Sequence, residues 1–460
     1  MKQFIRKIKL NIPADELYQY HFRKGAFQRQ AQPWLDMKLL EQSGNITDGR
    51  MKISIGKGFF KQLWEADHQA DLPGLQFKYI QVKGPFNFWE HTHSVEADGS
   101  NGAILTDAIT YRKPWYILTS TVQRELERLF DYRHSLTQND MKIRGNYLKS
   151  GGKSLNILIA GASGLVGTDL IPFLTTQNHS VKTLVRDKKD VNENSVYWNP
   201  DHQEVNPEHL EGYDAIIDLA GDNIGNGRWT DEKKKSILES RVKATSTLAK
   251  AIKKLKKPPK VFLNASAIGY YGDRGDEWVD ENSPHGSGFL SEVCQQWEAE
   301  AKEAERPETR VVLLRTGVVF SPKGGAFATM LTPFKLGLGG VIGSGKQWVS
   351  WVAIDDLIAM IHHILATPEI RGPVNAVSSN PVTNYEMTKT IGKVIGRLTL
   401  FPLPAFMAKL VFGREKAEEM LLASTRVKPG VLEKTGYQFL FPQLEDALRH
   451  MLGQTKGRRE

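Results

Sequence analysis

"LNILIAGASGLVGTDLIPFL", Leu155 to Leu174, decides the fold of most of this 460-residue chain. Asn156–Ala160 has the composition of a buried strand, and "TDLIPFL" carries helical spacing. Between them Gly161, Gly164 and Gly167 form a GxxGxxG turn. Such glycines allow a tight turn and a close backbone approach to a pyrophosphate, which the positive end of the following helix also favours. A second strand, "SVKTLVRD" (Ser180–Asp187), completes a strand–turn–helix–strand unit of the dinucleotide-binding kind. The expected cofactor contacts are Gly161, Ser163, Gly164, Leu165, Val166 and Gly167. The end of the second strand bears on cofactor choice. An acidic residue there grips the ribose 2′-hydroxyl of NAD, whereas Val185 followed by Arg186 suits the 2′-phosphate of NADP. Asp187, one position further, is the competing NAD reading.

Working outward, the chain changes texture at about residue 150. Residues 1–115 alternate in strand fashion ("FIRKIKLNI", "MKISIG", "LQFKYIQVKGPFNFWEHTHSV", "AILTDAITYR"), with one short helix after Pro13 carrying Asp15 and Glu16 in its first turn. A long helix, "TSTVQRELERLFDYRHSLTQNDMKIRGNYL", closes that part, and "KSGGKS" (Lys149–Ser154) reads as a flexible junction. Beyond it, short apolar strands alternate with helical segments, the pattern of a parallel sheet covered on both faces. The expected fold is therefore an α/β Rossmann-type doubly wound parallel sheet over 150–460, with a small carboxy-terminal substrate region from about 315, preceded by an α+β domain over 1–149.

Composition sets limits. A single cysteine, Cys294, rules out an intramolecular disulfide framework and fits a reducing, cytoplasmic setting. No apolar run of about 18 residues predicts a membrane span, and Met1 leads into a basic strand-like start. Asn45-Ile46-Thr47 matches a glycosylation sequon by pattern only. The net charge of +9 comes largely from "DEKKK" (Asp231–Lys235) and "KKLKKPPK" (Lys253–Lys260). Leu238, Val242, Leu248 and Ile252 mark an apolar helical face opposite these lysines, which read as a solvated face and give no case for nucleic acid.

The turn, together with "AIIDLAG" (Ala215–Gly221) and "VFLNASAIGYYG" (Val261–Gly272), resembles the extended short-chain dehydrogenases/reductases. The finer resemblance is to their atypical "epimerase family", cell-division-inhibitor-like branch. It rests on "GRWTDEKKKSILESRV", "SAIGYYGDRGDE", "FLSEVCQQWEAEA", the long stretch Arg315–Leu357 and "ASTRVKPGVLEKTGYQFLFPQLEDAL", spanning about Asn156 to Leu452. The branch's usual W-I-H-I-D-D stands here as Trp351–Asp356 with Ala353 at the histidine position, so any role of that histidine is absent. The resemblance implies a dinucleotide cofactor, which the end of the second strand reads as NADP. Leu219, Ala220, Gly221 and Arg241 are expected near it, Arg241 equally as a fold support, and Arg228, Trp229 and Trp348 near a small-molecule substrate, with a cofactor phosphate the alternative partner of Arg228. Residues 1–149 resemble helix-grip, START-like or polyketide-cyclase-like domains through "FFKQLWEADH", "QVKGPFNFWEHTHSV" and "LFDYRHSL". That implies a possible apolar ligand there, with Trp64, Phe86, Phe88 and Trp89 as core or cavity lining. His91 and His93 share one strand face, but the neighbouring sequence supplies no third or fourth ligand, so no metal is expected.

Short-chain dehydrogenases normally carry Tyr-x-x-x-Lys on the helix after the "YYG" region, where lysine lowers the tyrosine pKa for acid–base work. Aligning this helix by Glu298 puts Leu290 and Cys294 in those slots. Leu290, Val293, Cys294, Trp297 and Ala301 recur at helical spacing, so Cys294 reads as a buried hydrophobe and no nucleophile. Ser266, with a Tyr270 or Tyr271 phenol, is the remaining candidate catalytic set. Two functions follow: an NADP-dependent oxidoreductase or epimerase acting on a small carbonyl or hydroxyl compound, or an NADP(H)-responsive binding protein with little turnover.

Overall fold

The computed structural model describes residues 1–44, 48–56, 61–69 and 74–454; the Asn45–Thr47 sequon and Phe59 and Phe60 lie outside them. The chain divides into two compact units, one formed by Met1–Lys153, Thr175–Asn178 and Arg449–Glu460, the other by Ser154–Leu174 and His179–Leu448.

The first unit is an antiparallel sheet of seven strands in the order β1-β7-β6-β5-β4-β3-β2. These are β1 (Lys2–Leu10), β2 (Met37–Ser43), β3 (Arg50–Ile55), β4 (Gln62–Gln69), β5 (Leu75–Lys83), β6 (Phe88–Ala97) and β7 (Ala103–Arg112). Helix α1 (Ala14–Phe22) opens after Pro13 with Asp15 and Glu16 in its first turn, and a second short helix, α2 (Ala26–Gln30), follows Gly25 where one helix was expected. The long helix α3 (Thr119–Lys149) buries Val122, Leu126 and Phe130 in one apolar cluster with Trp89, Ile109 and Tyr111, and Met141 in another with Leu17, Tyr20 and Leu105. Trp64 packs edge to face against Phe86 and Trp89, whose rings are tilted on each other; Trp89 is a core residue, and Trp64 and Phe86 are half-buried against its cluster.

This interior is not purely apolar. His91, His93, Asp107 and His134 are buried inside it. Burial would raise the Asp107 carboxyl, yet the imidazoles of His93, His134 and His91 hold it well below its ordinary range. Burial, aided by His91, pushes His93 down to about 4.

The second unit holds an eight-stranded sheet. Its strands are β8 (Asn156–Ala160), β9 (Ser180–Val185), β10 (Ser195–Asn199), β11 (Glu204–Val205), β12 (Ala215–Asp218), β13 (Val261–Ala267), Arg310–Thr316 and Gly372–Ala376. The spatial order is β11-β10-β9-β8-β12-β13, then Arg310–Thr316 and Gly372–Ala376. All pairings are parallel except β10 with β11. Strand order reverses between β8 and β12, the topological switch point where such sheets open a ligand crevice at their carboxyl ends. Helices α4 (Leu165–Thr176), α5 (Asp231–Ile252) and α6 (Phe289–Lys302) follow β8, β12 and β13. The buried stripe of α5 runs through Ile237, Ala244, Thr245, Leu248 and Ile252, with Leu238 and Val242 only half-buried at its margin. No helix among the described residues is long and apolar enough to cross a membrane.

Candidate functional site

The glycine turn is built as its spacing requires. Gly161 adopts φ +75°, and a Cβ there would stand 2.6 Å from the Leu219 carbonyl carbon at the end of β12. At Gly167 a Cβ would stand 2.6 Å from the carbonyl oxygens of Gly161 and Ala162, so only glycine lets α4 pack onto the turn. A cavity of about 990 Å³ opens at the switch point. Gly161, Ser163 and Gly164 form one side, and Leu219, Ala220 and Gly221 another, with Arg186 and Asp187 at the end of β9. Leu165, Val166 and Gly167 begin α4 directly behind this lining.

Asp187 caps a short helical turn, its carboxylate accepting the Lys189 backbone N–H at 2.9 Å. That commitment weakens Asp187 as a ribose ligand, and Arg186 is the cationic side chain that lines the cavity at the end of β9, with Asp190 also in the lining. Sequence reasoning missed the opposite wall, where Glu232, Lys235, Ser236, Glu239, Ser240 and Lys243 of α5 line the cavity. They recur at helical spacing, and that stripe was the available signal. Lys253, Lys254, Lys256, Lys257 and Lys260 are exposed as expected, whereas Lys233 and Lys234 are half-buried in ion pairs with Asp222 and Glu415, and Lys235 and Lys243 line this cavity. Asp222 holds the stripe in place, accepting from Lys233 Nζ and Ser236 Oγ at 2.7 Å each.

Arg241 is a support. Its Nη1 donates to the carbonyl oxygens of Asp222 and Ile237 at 3.0 and 2.9 Å, and its guanidinium stacks 5.0 Å over Trp297. Beneath the lining, Trp297 Nε1 donates to Thr245 Oγ1, which lies 2.9 Å from both Asp218 Oδ2 and Asn264 Oδ1. One hydroxyl proton serves only one of those acceptors, and a protonated Asp218 would supply the missing donor. Burial correspondingly pushes Asp218 up to about 6.

Ser266 and Tyr271 are not presented as a catalytic pair. Ser266 is buried, and its Oγ donates to Glu298 Oε1 at 2.8 Å. Arg315 forks onto the same carboxylate, with Nε and Nη2 each donating at 2.8 Å. Arg315 Nη1 donates to the Tyr271 hydroxyl at 3.0 Å, and that hydroxyl donates to Asn375 Oδ1 at 2.7 Å. Burial pushes the Tyr271 phenol up to about 12, so it is a core hydrogen-bonding group and unsuited to proton transfer near neutrality. The candidate phenol narrows to Tyr270, which is half-buried and held through its ring, 3.5 Å from the Arg315 guanidinium carbon.

Helix α6 brings Leu290 and Cys294 against the Ile268–Tyr271 turn: a Cβ on Gly269 would meet Leu290 Cβ at 3.1 Å and Cys294 Sγ at 3.9 Å. Cys294 is buried, and burial pushes its thiol up to about 11, which removes it as a nucleophile.

Each of the three substrate-side candidates is held by its own partner. Arg228 Nη2 donates to the Leu410 carbonyl at 2.9 Å, and Trp229 packs 5.2 Å from Phe289 at the head of α6. Trp348 donates to Asp276 at 2.9 Å and flanks Arg426, whose guanidinium also covers Trp278. Lys416 Nζ anchors the Arg228 loop by donating to the Gly225 and Gly227 carbonyls at 2.7 Å each. Glu419 caps α6, accepting the Phe289 and Leu290 backbone N–H groups at 2.8 Å.

Turn, sheet order and crevice define a dinucleotide-binding protein of Rossmann type. Residues 157–377 match the NAD dependent epimerase/dehydratase family, and residues 403–451, which include Lys416 and Glu419, match a domain of unknown function, DUF1731. An epimerase family protein of Mycobacterium bovis is 39% identical over 292 residues, covering 64% of this chain and 96% of the relative. The human epimerase family protein SDR39U1 is 38% identical over 65% of this chain and the whole of that protein. The chain belongs to this epimerase family. Its fold matches the crystal structure of human SDR39U1 isoform 2 with NADPH at TM-score 0.61 and 36% identity, over 65% of this chain and all of that one. A nucleoside-diphosphate sugar epimerase from Corynebacterium glutamicum matches over 98% of this chain and 90% of its own, at TM-score 0.82 and 30% identity. That structural match therefore includes the amino-terminal unit.

Proposed function

We propose that the chain is an NADP(H)-dependent oxidoreductase or epimerase-like enzyme acting on a small carbonyl or hydroxyl compound. The observation that carries the cofactor reading is Arg186 lining the switch-point cavity while Asp187 is committed to a backbone cap. The NADPH in the human relative's structure supports the same reading. Gly161, Ser163 and Gly164 would face the pyrophosphate, Arg186 the 2′-phosphate, and Leu219–Gly221 the adjoining wall. The cofactor, when bound, supplies or accepts a hydride. This chain's part is to hold the substrate oxygen, and Tyr270 is the residue best suited to share a proton with it.

On the alignment by Glu298, Leu290 and Cys294 fall in the slots of the Tyr-Lys pair, while Ser266 and Tyr271 are tied into a buried network. This observation favours a second reading, an NADP(H)-responsive binding protein with little turnover. Deuteride transfer from labelled NADPH to nucleoside-diphosphate sugars and simple carbonyl compounds separates the two. Transfer abolished by Tyr270→Phe with NADPH binding intact supports the enzyme; no transfer to any acceptor supports the binding protein. In the amino-terminal unit, the strand order and the long α3 support a helix-grip reading. Its ligand preference is set by what its interior contains.

A further inference from the structure

The interior of the amino-terminal unit holds a group of side chains that dinucleotide binding does not use. His91 and His93 project to the same face of β6, and the β6–β7 register sets His93 directly opposite Asp107. One ligand-type atom from each of these three buried residues lies within 4.8 Å of the others. His91 Nε2 and His134 Nε2 approach the two Asp107 oxygens at 2.8 and 2.7 Å, each as a hydrogen bond. His93 Nδ1 stands 2.7 Å from Asp107 Oδ1 but lacks the alignment of a hydrogen bond, and it has no other hydrogen-bond partner among the described residues. His134 Nδ1 is likewise buried without a hydrogen-bond partner among the described residues. Leaving such a nitrogen unsatisfied is costly, so a folded core retains it where something compensates.

We propose that His91, His93 and Asp107 form a binding site for a divalent transition-metal ion of the zinc type, with His134 and Tyr79 holding two of the ligands in place. Two imidazoles and one carboxylate suit such ions. Ligand atoms around a tetrahedral ion at ~2.1 Å stand roughly 3.4 Å apart. Small ring rotations would therefore open the present contacts enough to admit an ion between them. His91 Nδ1 lies 2.7 Å from the Tyr79 hydroxyl. With Nε2 on a metal, the ring proton moves to Nδ1 and Tyr79 turns from donor to acceptor, so no proton leaves His91. His134 keeps its hydrogen bond to Asp107 Oδ2 and fixes the carboxylate's orientation, the usual task of a group behind a metal ligand. Arg133 adds an opposing positive charge to this cluster, which the Asp107 carboxylate offsets.

The test uses the full chain, stripped with a chelator, loaded with zinc or cobalt alone, and desalted before metal analysis. One ion retained per chain is expected, with a cobalt absorption spectrum showing nitrogen ligation. His91→Asn/His93→Asn should lose the ion while keeping its circular dichroism and its NADPH binding. Tyr79→Phe, the milder variant, should weaken zinc about 10–100-fold. A folded wild-type chain that retains no metal overturns the proposal. So does undiminished retention in the double variant or, where that variant fails to fold, unchanged zinc affinity in Tyr79→Phe.

Discussion

The two units each bury a charged cluster, and the clusters differ in whether their hydrogen bonds close. In the second unit, Ser266, Glu298, Arg315, Tyr271 and Asn375 form one chain in which each polar group named finds a partner. In the first unit, three imidazoles crowd one carboxylate, and His93 Nδ1 and His134 Nδ1 are left over. A closed network ties strands and helices together; an open one has capacity for a ligand. Residue type alone would have ranked them the other way, since a serine and a tyrosine beside a nucleotide fold look catalytic.

The strongest way to break this comparison is to open the closed network. Arg315→Met leaves Glu298 as a buried unpaired carboxylate and should cost about 3–5 kcal/mol in urea unfolding. Arg315→Met/Glu298→Met should cost less than the sum of the two single changes. A loss under 1 kcal/mol for Arg315→Met would show that the network does not hold the unit together.

Next comes pH. Burial pushes Asp218 and Asp356 each up to about 6 from 3.8. The folded chain thus holds these protons more tightly than the unfolded chain. Their contribution to stability is full below about pH 3.8 and lost as pH rises through about 6, on the order of 3 kcal/mol each at most. Asp356 accepts from the Tyr437 hydroxyl and the Leu440 and Phe441 backbone N–H groups. Asp356→Asn should lower stability and flatten the slope between pH 4 and 7 in denaturant titrations; an unchanged slope would remove Asp356 from its origin.

A smaller effect is expected at the turn. Gly161→Ala combines left-handed strain with a 2.6 Å contact to Leu219, about 1–3 kcal/mol. It should reduce NADPH affinity in calorimetry about 10–100-fold. The smallest effect belongs to Cys294. Its thiol should resist an exposed-thiol reagent until the chain unfolds, and Cys294→Ala should leave NADPH affinity unchanged. Rapid native-state labelling would contradict its burial.

The sequence carried the second unit's layout well, because a glycine turn between a strand and a helix has few alternative meanings. In the first unit it missed β2 and β4. In β2, only Met37 and Leu39 are even half-buried, so the alternation that marks a strand is faint. At the site, the turn and Arg186 were legible, whereas the α5 wall was read as a solvated face because polar residues lining a wet cavity carry the same signature. Tyr270 and Tyr271 are adjacent and chemically identical, yet Tyr271 alone is fully buried, by partners 44 and 104 residues away. The same distance in sequence hid the metal-type cluster: His91 and His93 were visible as a pair, but Asp107 and His134 reach them only through strand register and helix packing.

The central claim is that the switch-point cavity binds NADP(H) through Arg186. Calorimetric titration of NADPH and NADH into the wild-type chain and Arg186→Ala tests it most directly. Losing a charge-assisted contact of about 1.5–3 kcal/mol should weaken NADPH about 10–100-fold and leave NADH nearly unchanged. Equal affinity of the wild-type chain for both nucleotides, or no binding of either, would contradict it.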